Sequence, residues 1–372
     1  MENDLVTRIF GEDGELDIDK PDEGLAEYKK RKKEAREKMI MLQSQPYEIK
    51  VRRSRLRAEE FMKQMQRRDK AAHVSVGGLD SITLHIFLKS IGINVPAVSV
   101  SSLEDKSIQR VHKALGVTIL NPLKTKVEVL NEVGFPVISK RIAGKIALLQ
   151  NPTENNKTVR HAIITGECGK LGHFQKNSRM KLPQKWLNLF GGYENENEGV
   201  MYYKPNFKVS NDCCYWLKEK PCDDWAKAHS SYPFLGMMAS EGGQREEALT
   251  DHGCNYYGKT VMRSAPFAPY LRNDILRLAQ DDGHGNLRTT GAQRTGCSMC
   301  GFGIHMEDRP HRFDRLRERN PKEWEFYMYR CCTDPETGEK FGWGRVLDYI
   351  GVPWEDVPAV QMSIYDYPEV LP

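Results

Sequence analysis

Two pairs of cysteines are the residues of this chain best suited to chemistry. Cys297 and Cys300 lie three positions apart in a glycine-flanked turn, and Cys213 and Cys214 are adjacent, with 82 residues between the two pairs. Thiols at positions i and i+3 of a tight turn can converge on one point, and adjacent thiols can do so where the backbone bends. Four thiolates that meet at one centre suit an iron–sulfur cluster or a structural zinc ion. The sequence therefore predicts a metal centre on these four cysteines.

Three further cysteines stand near these pairs or before them. Cys254 is the alternative ligand to Cys213, because two adjacent ligands strain the turn that carries them. Cys168 and Cys222 are expected to pack inside the fold rather than to bind a metal.

The composition describes a globular protein without a membrane segment. The chain has 372 residues, of which 39% are hydrophobic and 28% charged, enough for one large domain or two ordinary ones. It contains no stretch of about 18 apolar residues, and its acidic N-terminus lacks the apolar core of a secretory signal. We therefore expect a cytoplasmic protein, in which nine cysteines indicate metal binding or catalysis more than disulfides.

The net charge of +4 hides two opposed segments near the N-terminus. Residues 1–27 carry ten acids and two bases, whereas residues 28–70 carry sixteen bases and six acids. Apolar residues between Leu56 and Met65 share one helical face, so we expect one or two solvated helices that lead into the core. The sharper alternative is a surface that binds nucleic acid or a partner protein, since basic helices neutralise phosphates.

A strand, a glycine-rich turn and a helix follow one another from residue 74. Val74–Val76 is predicted as the strand and Ile82–Ile91 as the helix, and the run Gly77-Gly78-Leu79-Asp80-Ser81 lies between them. In such an arrangement the free backbone N–H groups at the start of the helix point at an anion. We therefore predict a phosphate-binding loop that uses Gly77, Gly78, Asp80 and Ser81.

Further strands alternate with helices, which predicts an α/β fold with a doubly wound, mostly parallel sheet. These strands are expected at Val98–Val100, Val117–Leu120, Ala162–Thr165 and Phe234–Ala239. Ligands of such sheets bind at the carboxyl ends of the strands, so Ser101 and Gly166 join Gly77 as candidate binding positions.

The predicted organisation has three parts. Residues 1–70 form the acidic arm and the basic helices, residues 71–210 an α/β nucleotide-binding domain, and residues 211–372 complete the sheet and hold the metal centre. Homo-oligomerisation is left open by the sequence.

Arg245 follows the last predicted strand in a run of glycines and charged residues, Ser240–Glu247. Its planar guanidinium suits bidentate contact with phosphate or sulfate, and the alternative is an ordinary surface pair with a glutamate. Weaker candidates for contact with an anion are four basic residues after the cysteine turn, with capping and charging of a helix as their alternative role: His305, Arg309, His311 and Arg312. Lys140 and Arg141, ahead of a predicted helix, are second-rank candidates for contact with phosphate.

These motifs together resemble the phosphoadenosine phosphosulfate reductase family, within the adenine nucleotide α-hydrolase superfamily. Val76–Ser81 is similar to the superfamily's SGGxDS phosphate loop, Gly243–Glu247 to the family's arginine loop, and the CC…CxxC pattern to the cysteines that hold [4Fe-4S] in adenylyl-sulfate reductases. The resemblance covers roughly residues 70–330. It implies an adenine nucleotide ligand, a [4Fe-4S] cluster, a thioredoxin-type reductant and the reduction of an adenylated sulfate to sulfite.

The chain departs from the family pattern at two places. Val76 replaces the first serine of the loop, which removes one hydroxyl donor to phosphate. The family's C-terminal Glu-Cys-Gly-x-His tail, whose cysteine attacks the sulfonucleotide, is also missing. Cys331 and Cys332 are the last thiols of the chain and the remaining candidates for a nucleophile, with packing as their alternative role.

Two other functions are therefore kept beside the reductase. The first is an ATP-dependent sulfurtransferase, in which the same loop holds ATP with Mg²⁺ and the acceptor is a nucleic acid or a small molecule. The missing tail and the basic segment favour it. The second is a nucleotide-binding module without catalysis.

Overall fold

The computed structural model describes residues 25–104, 106–167, 180–191, 194–195, 200–201, 205–258, 261–281 and 297–355. The acidic residues before position 25, Cys168 and the C-terminal tail lie outside the described residues.

Fourteen α-helices occur in this part of the chain. In order they are α1 (Leu25–Gln43), α2 (Tyr47–Arg67), α3 (Leu79–Ser90), α4 (Lys106–Ala114), α5 (Lys126–Glu128), α6 (Lys140–Gln150), α7 (Lys157–Thr165), α8 (Gln184–Phe190), α9 (Lys220–Ala228), α10 (Gly243–His252), α11 (Arg272–Asp281), α12 (Arg312–Arg319), α13 (Pro321–Tyr329) and α14 (Trp343–Ile350). None of these described helices combines the length and the apolarity needed to cross a membrane.

Twelve strands are described, and they form four sheets. In order they are β1 (Ala71–Ser75), β2 (Ala97–Ser99), β3 (Thr118–Ile119), β4 (Val137–Ile138), β5 (Glu194–Asn195), β6 (Val200–Met201), β7 (Ser231–Leu235), β8 (Asn255–Tyr257), β9 (Met262–Ser264), β10 (Gly301–Phe302), β11 (Cys332–Thr333) and β12 (Lys340–Phe341). The largest sheet has six strands in the order β3-β2-β1-β7-β9-β8, and the others are the pairs β10-β4, β11-β12 and β5-β6.

The chain divides into two compact units, and each is built from separate stretches of sequence. The sheet unit contains the described residues up to Leu123 and those of Tyr215–Cys297, and it holds the whole six-stranded sheet. The cysteine unit contains Lys124–Cys214 and the described residues from Ser298 onward.

In the sheet unit, five strands run parallel and only the edge strand β8 is antiparallel. β1 and β7 lie at the centre, where Val74 and Phe234 are fully buried and paired in register. The α/β fold with a mostly parallel sheet is therefore confirmed. The strands expected near 74, 98, 117 and 234 are present, with bounds displaced by one to four residues.

The two basic helices pack on the sheet unit along their apolar faces. α2 buries Phe61 and Met65 of the predicted apolar face together with Ala58, whereas Leu56, which was expected on that face, is 64% exposed. Ser54 Oγ donates to Pro266 O at 2.8 Å. Lys50, which is 2% exposed, pairs with Asp274 at 2.8 Å. The expectation of helices that lead into the core is thus confirmed for the described part of the segment.

The cysteine unit is mostly helical around a core of its own, which includes Phe135, Phe190, Phe313 and Trp343. One prediction for this unit is wrong. Ala162–Thr165 forms the end of α7 rather than a strand, and only Ala162 and Ile163 of the helix are buried. A short apolar run fits a strand or one face of a helix equally well, and here the residues before it supplied the helical period.

Candidate functional site

The candidate site lies at the carboxyl edge of β1 and β7 in the sheet unit. The chain continues from β1 to β2 on one side, whereas β7 lies on the other side of β1. Such a reversal of strand order opens a crevice outside the carboxyl ends of the strands, which is where parallel α/β sheets bind ligands. The loops after β1, β2 and β7 therefore border this crevice.

The loop after β1 is closed by the Ser81 side chain. Gly77 N–H donates to Ser81 Oγ at 2.8 Å, and Ser81 Oγ donates to Gly78 O at 3.0 Å. α3 then begins at Leu79, and its N-cap residue, Gly78, has no side chain that could accept a hydrogen bond from the first turn. Within the described residues, the N–H groups of Gly78, Leu79, Asp80 and Ser81 donate to no acceptor, so four donors are available at the start of this helix.

The loop after β2 is tied to this loop by His112 of α4. His112 is fully buried, its Nε2 lies 2.8 Å from Gly77 O, and its Nδ1 lies 2.9 Å from Ser101 Oγ. Ser101 is itself 4% exposed. The sequence placed Gly77 and Ser101 at neighbouring strand ends, but the histidine that joins them was missed, because a lone histidine on a helix carries no motif.

A charged pair borders the same loop. Glu104, 8% exposed, has Oε1 at 3.7 Å from the position that a Cβ on Gly77 would occupy. Lys218 Nζ donates to this carboxylate at 2.5 Å. Lys218 belongs to a π-helical turn, Tyr215–Glu219, that precedes α9.

The loop after β7 packs directly against the start of α3. A Cβ on Gly236 would lie 2.8 Å from backbone atoms of Asp80 and Ser81, so this contact requires a glycine. The chain then passes through a 3₁₀ turn at Ala239–Glu241 and two glycines with positive φ, Gly242 and Gly243, into α10. Gly236 is a site residue that the sequence did not single out.

Two ion pairs, each of an exposed arginine and a carboxylate, lie at the mouth of the site. Arg272 pairs with Asp80, and Arg245 pairs with Glu241. The arginine side chains are 49% and 55% exposed, so each can turn toward a bound anion at little cost. Burial raises the pKa of the Asp80 carboxyl, while Arg272 opposes that rise. The expected alternative for Arg245, a pair with a glutamate, is the state that the structure describes.

In the cysteine unit, one short segment is hydrogen-bonded to both cysteine-bearing stretches. Phe135 N–H donates to Lys208 O at 2.8 Å, and Ser210 N–H donates to Phe135 O at 3.2 Å, three residues before Cys213. β10 begins immediately after Cys300 and pairs in parallel with β4, two residues after Phe135. Backbone pairing thus brings stretches that are distant in sequence to one strand segment.

The turn between Cys297 and Cys300 is fixed by its side chains. Lys126 Nζ donates to Ser298 Oγ at 2.8 Å, and Ser298 Oγ donates to Glu323 at 2.7 Å. Arg312 Nη1 donates to Cys300 O at 3.0 Å. Gly301 is required after this turn, since a Cβ there would lie 2.5 Å from the Trp343 ring.

The chemistry of the four cysteines fits a thiolate-ligated metal, but their geometry does not yet form a complete ligand set. None of the four is in a disulfide within the described residues, and all are partly buried. Cys213 and Cys214 form the helical residues directly before the π-helical turn. No group of three or more His, Cys, Asp or Glu with a metal-binding arrangement occurs among the described residues. Burial raises the pKa of the Cys254 thiol, and it raises that of Cys222 to about 11, which disfavours their thiolates.

Cys331 and Cys332 lie inside the core of the cysteine unit. They are 3% and 1% exposed, their sulfurs are 3.7 Å apart, and Cys331 Sγ donates to Tyr327 O at 3.3 Å. The hydrogen bond with the Cys331 sulfur and burial both raise the pKa of the Cys332 thiol. Both thiols therefore have the environment of packing residues.

The remaining candidates from the sequence have structural roles or separate positions. Gly166 is the left-handed residue that ends α7 in the cysteine unit, so the predicted strand end that suggested it is absent. His311 caps α12, and Arg309 makes a bidentate pair with Asp314. Arg312 pairs with Glu307. Capping and charge pairing, the alternative role for this group, therefore account for these three residues.

No family model matches this chain, and no curated protein matches it.

Proposed function

We propose that this chain binds an adenine nucleotide at the carboxyl edge of β1 and β7 and reduces an adenylated sulfate to sulfite. The observation that carries the proposal is the meeting of three loops at the switch point of the sheet. His112 joins the loops after β1 and β2, and Gly236 packs the loop after β7 onto the start of α3. The motif resemblance to the phosphoadenosine phosphosulfate reductase family supplies the substrate class.

In this proposal the phosphate binds to the open N–H groups at the start of α3. A Cβ on Gly77 would meet only ordinary contacts, at 3.7 Å from Glu104 and 4.0 Å from Ser81, so the fold itself does not demand a glycine there. A loop whose backbone must approach a phosphate closely does favour glycine. Arg245 and Arg272 would exchange their carboxylate partners for the phosphate and sulfate oxygens.

The proposal includes a [4Fe-4S] cluster on Cys213, Cys214, Cys297 and Cys300, with zinc as the competing metal and Cys254 as the alternative ligand. The π-helical turn after Cys214 and the shared segment Phe135–Ile138 support it, because both bend or pair the backbone close to the thiols. When bound, a cluster of this kind tunes the local electrostatics without changing its own oxidation state.

The test is sulfite release by anaerobically purified protein. Adenosine 5′-phosphosulfate and its 3′-phosphorylated form are each supplied with a thioredoxin-type dithiol, which gives two electrons and becomes a disulfide while sulfite and the nucleotide leave. Arg245→Ala should lower kcat/KM by about tenfold to a hundredfold, since it removes a charge-assisted hydrogen bond. The matched control is Arg277→Ala, an arginine of the same unit that is 54% exposed and stacks on Tyr47. Absence of sulfite from both substrates would overturn the proposal.

A second candidate is an ATP-dependent sulfurtransferase, and one observation favours it. The burial of Cys331 and Cys332 leaves both without access to a bound sulfonucleotide. In this function the loop would hold ATP with Mg²⁺, and an acceptor oxygen of a nucleic acid or small molecule would attack the α-phosphate with release of pyrophosphate.

This second candidate is tested by measuring pyrophosphate release from ATP and Mg²⁺, with and without RNA or DNA. Release that rises with nucleic acid, together with no sulfite, would replace the reductase by the sulfurtransferase. Tight binding of nucleotide with neither product would indicate the module without catalysis.

A further inference from the structure

His112 is the buried side chain that connects two loops of the candidate site, and its chemistry is fixed by its partners. The ring is fully buried on α4, with Nε2 at 2.8 Å from Gly77 O and Nδ1 at 2.9 Å from Ser101 Oγ. A carbonyl oxygen only accepts hydrogen bonds, so Nε2 must carry a proton. In the neutral ring Nδ1 is then an acceptor, and the Ser101 hydroxyl donates to it.

The bond to Gly77 determines the orientation of one peptide group in the loop. The Gly77 C=O and the Gly78 N–H belong to the same planar, trans peptide, so they point in opposite directions. Because His112 holds the carbonyl toward α4, the Gly78 N–H faces away from α4. That N–H donates to no acceptor among the described residues.

We propose that His112 is a positioning residue, which holds the Gly77–Gly78 peptide so that Gly78 N–H is presented to a phosphoryl or sulfuryl oxygen. The identity of the ligand rests on the proposed function, whereas the orientation of the peptide does not. Ser101, expected from the sequence to bind the ligand itself, acts in this proposal through the imidazole ring.

The surroundings keep the ring neutral. Burial lowers the pKa of His112, while the Gly77 carbonyl and the Glu104 carboxylate raise it and Lys218 lowers it. Glu104 and Lys218 are themselves paired at 2.5 Å, which limits the net field of this pair at the ring. The tautomer with the proton on Nε2 therefore satisfies both contacts across neutral pH.

The experiment compares three variants of the full chain, purified without oxygen. His112→Leu removes both hydrogen bonds at similar volume, and His112→Gln keeps a donor for Gly77 O. His85→Leu is the matched control, because His85 of α3 is buried in the same unit, at 2% exposed, but neither of its ring nitrogens has a hydrogen-bond partner among the described residues. The binding of pyrophosphate and of adenosine 5′-phosphosulfate is measured by calorimetry at pH 8, with the unfolding midpoint of each protein.

We expect His112→Leu to weaken binding of both probes by about tenfold to a hundredfold, because one N–H contact to an anion is misdirected. His112→Gln should recover most of this loss, and His85→Leu should bind as the wild type does. The ¹⁵N spectrum of the wild-type ring should show a protonated Nε2 and an accepting Nδ1. Unchanged binding in His112→Leu, or a ring protonated on Nδ1 alone, would overturn the inference.

The two proposals fail in different ways. If the wild type binds pyrophosphate but no adenine nucleotide, and His112→Leu loses the pyrophosphate, the proposed function fails and the role of His112 stands. If the nucleotide binds equally well to the wild type and to His112→Leu, the role of His112 fails and the proposed function stands. If the wild type binds neither probe, both are overturned.

Discussion

The sheet unit and the cysteine unit position their chemistry-bearing residues in different ways. In the sheet unit, Gly77, Ser101 and Gly236 each follow a strand of one sheet, so the register of parallel strands sets their relative positions. In the cysteine unit, Cys300 precedes a strand of two residues, and Cys213 lies near a π-helical turn. Repetition of a regular element positions the first set, whereas individual side-chain contacts position the second.

This difference in positioning predicts how each site responds to the loss of its ligand or metal. The loop after β1 is fixed by hydrogen bonds to Ser81 Oγ within the loop and to the buried His112 ring of α4, so it is formed before any ligand binds. The cysteine turn has the supporting contacts of Ser298 and Arg312, but the described thiols do not form a group of three metal ligands. We therefore expect metal loss to damage the cysteine unit and to leave nucleotide binding by the sheet unit largely intact.

The largest expected effect is the loss of metal from Cys300→Ser. Anaerobic wild-type protein should contain about four iron atoms per chain with matching sulfide, and the variant almost none, since a cluster needs all its thiolates. Cys331→Ser is the control, because that thiol is buried against Tyr327 O and should not bind the metal. Iron and sulfide analysis with an absorbance scan checks this.

If Cys300→Ser loses its metal but still binds pyrophosphate, the phosphate-binding loop of the sheet unit does not depend on the metal. A colourless, iron-free wild type would contradict the cluster, and zinc at one ion per chain would identify the competing metal. Equal loss of iron from Cys331→Ser would show that the metal is held elsewhere.

The next effect is acid destabilisation of the sheet unit. Burial lowers the pKa of His73 and of His85 to about 4, below the usual value of 6.5. The unfolded chain therefore takes up protons first as the pH falls, and the free energy of unfolding should decrease between about pH 6.5 and pH 4. The decrease for each histidine is of the order of 3 kcal/mol.

Urea unfolding at pH 7.5, 6.0 and 5.0 measures this decrease. His85→Leu, which cannot take up a proton, should lack about 2 kcal/mol of the decrease between pH 7.5 and pH 5.0. An unchanged slope in that variant would mean that His85 is not held neutral in the folded state.

Replacing either of two glycines of the sheet unit by alanine should have a smaller effect, on stability at one position and on anion binding at the other. Gly236→Ala places a methyl 2.8 Å from backbone atoms of Asp80 and Ser81, and it should lower the free energy of unfolding by about 1–3 kcal/mol. Gly77→Ala meets only contacts of 3.7 Å and longer, so it should leave stability unchanged while weakening the binding of pyrophosphate. Urea midpoints and calorimetry separate the two effects.

The counterpart in the cysteine unit is Gly301→Ala, whose methyl would lie 2.5 Å from the Trp343 ring. It should reduce metal content and leave pyrophosphate affinity at the wild-type value. A loss of pyrophosphate binding in this variant would break the distinction between the units.

The smallest effect concerns the exposed face of α1. Lys30 and Lys33 pair with Glu34 and Glu37 at 4.0 Å and 3.8 Å, with lysine side chains 77% exposed, so replacing both by Gln should not change stability measurably. If this face contacts phosphates, as the basic segment suggests, the slope of log affinity for nucleic acid against log salt should fall by about two. Arg277→Gln is the control, and an unchanged slope would exclude these lysines from a nucleic-acid surface.

The parallel sheet and the loop after β1 could be predicted because their signals are local. β-Branched runs, a glycine pair and a helical period lie within about fifteen residues of one another around Gly77. The prediction of a strand at Ala162–Thr165 also relied on a local signal, and it was wrong. A short apolar run does not show whether it packs as a strand of a sheet or as one face of a helix.

The sequence by itself determined the residue types: the glycine loop, the two cysteine pairs, the arginine after β7 and the apolar faces of the basic helices. Only the tertiary structure decided that His112 joins Gly77 to Ser101, that Gly236 lies against Asp80, and that Cys331 and Cys332 are buried. The reason is that these contacts join residues between 11 and 156 positions apart, and burial depends on what the rest of the chain packs against each side chain. A composition or a period can specify what a residue is able to do, but its neighbours in space are fixed only when the whole chain folds.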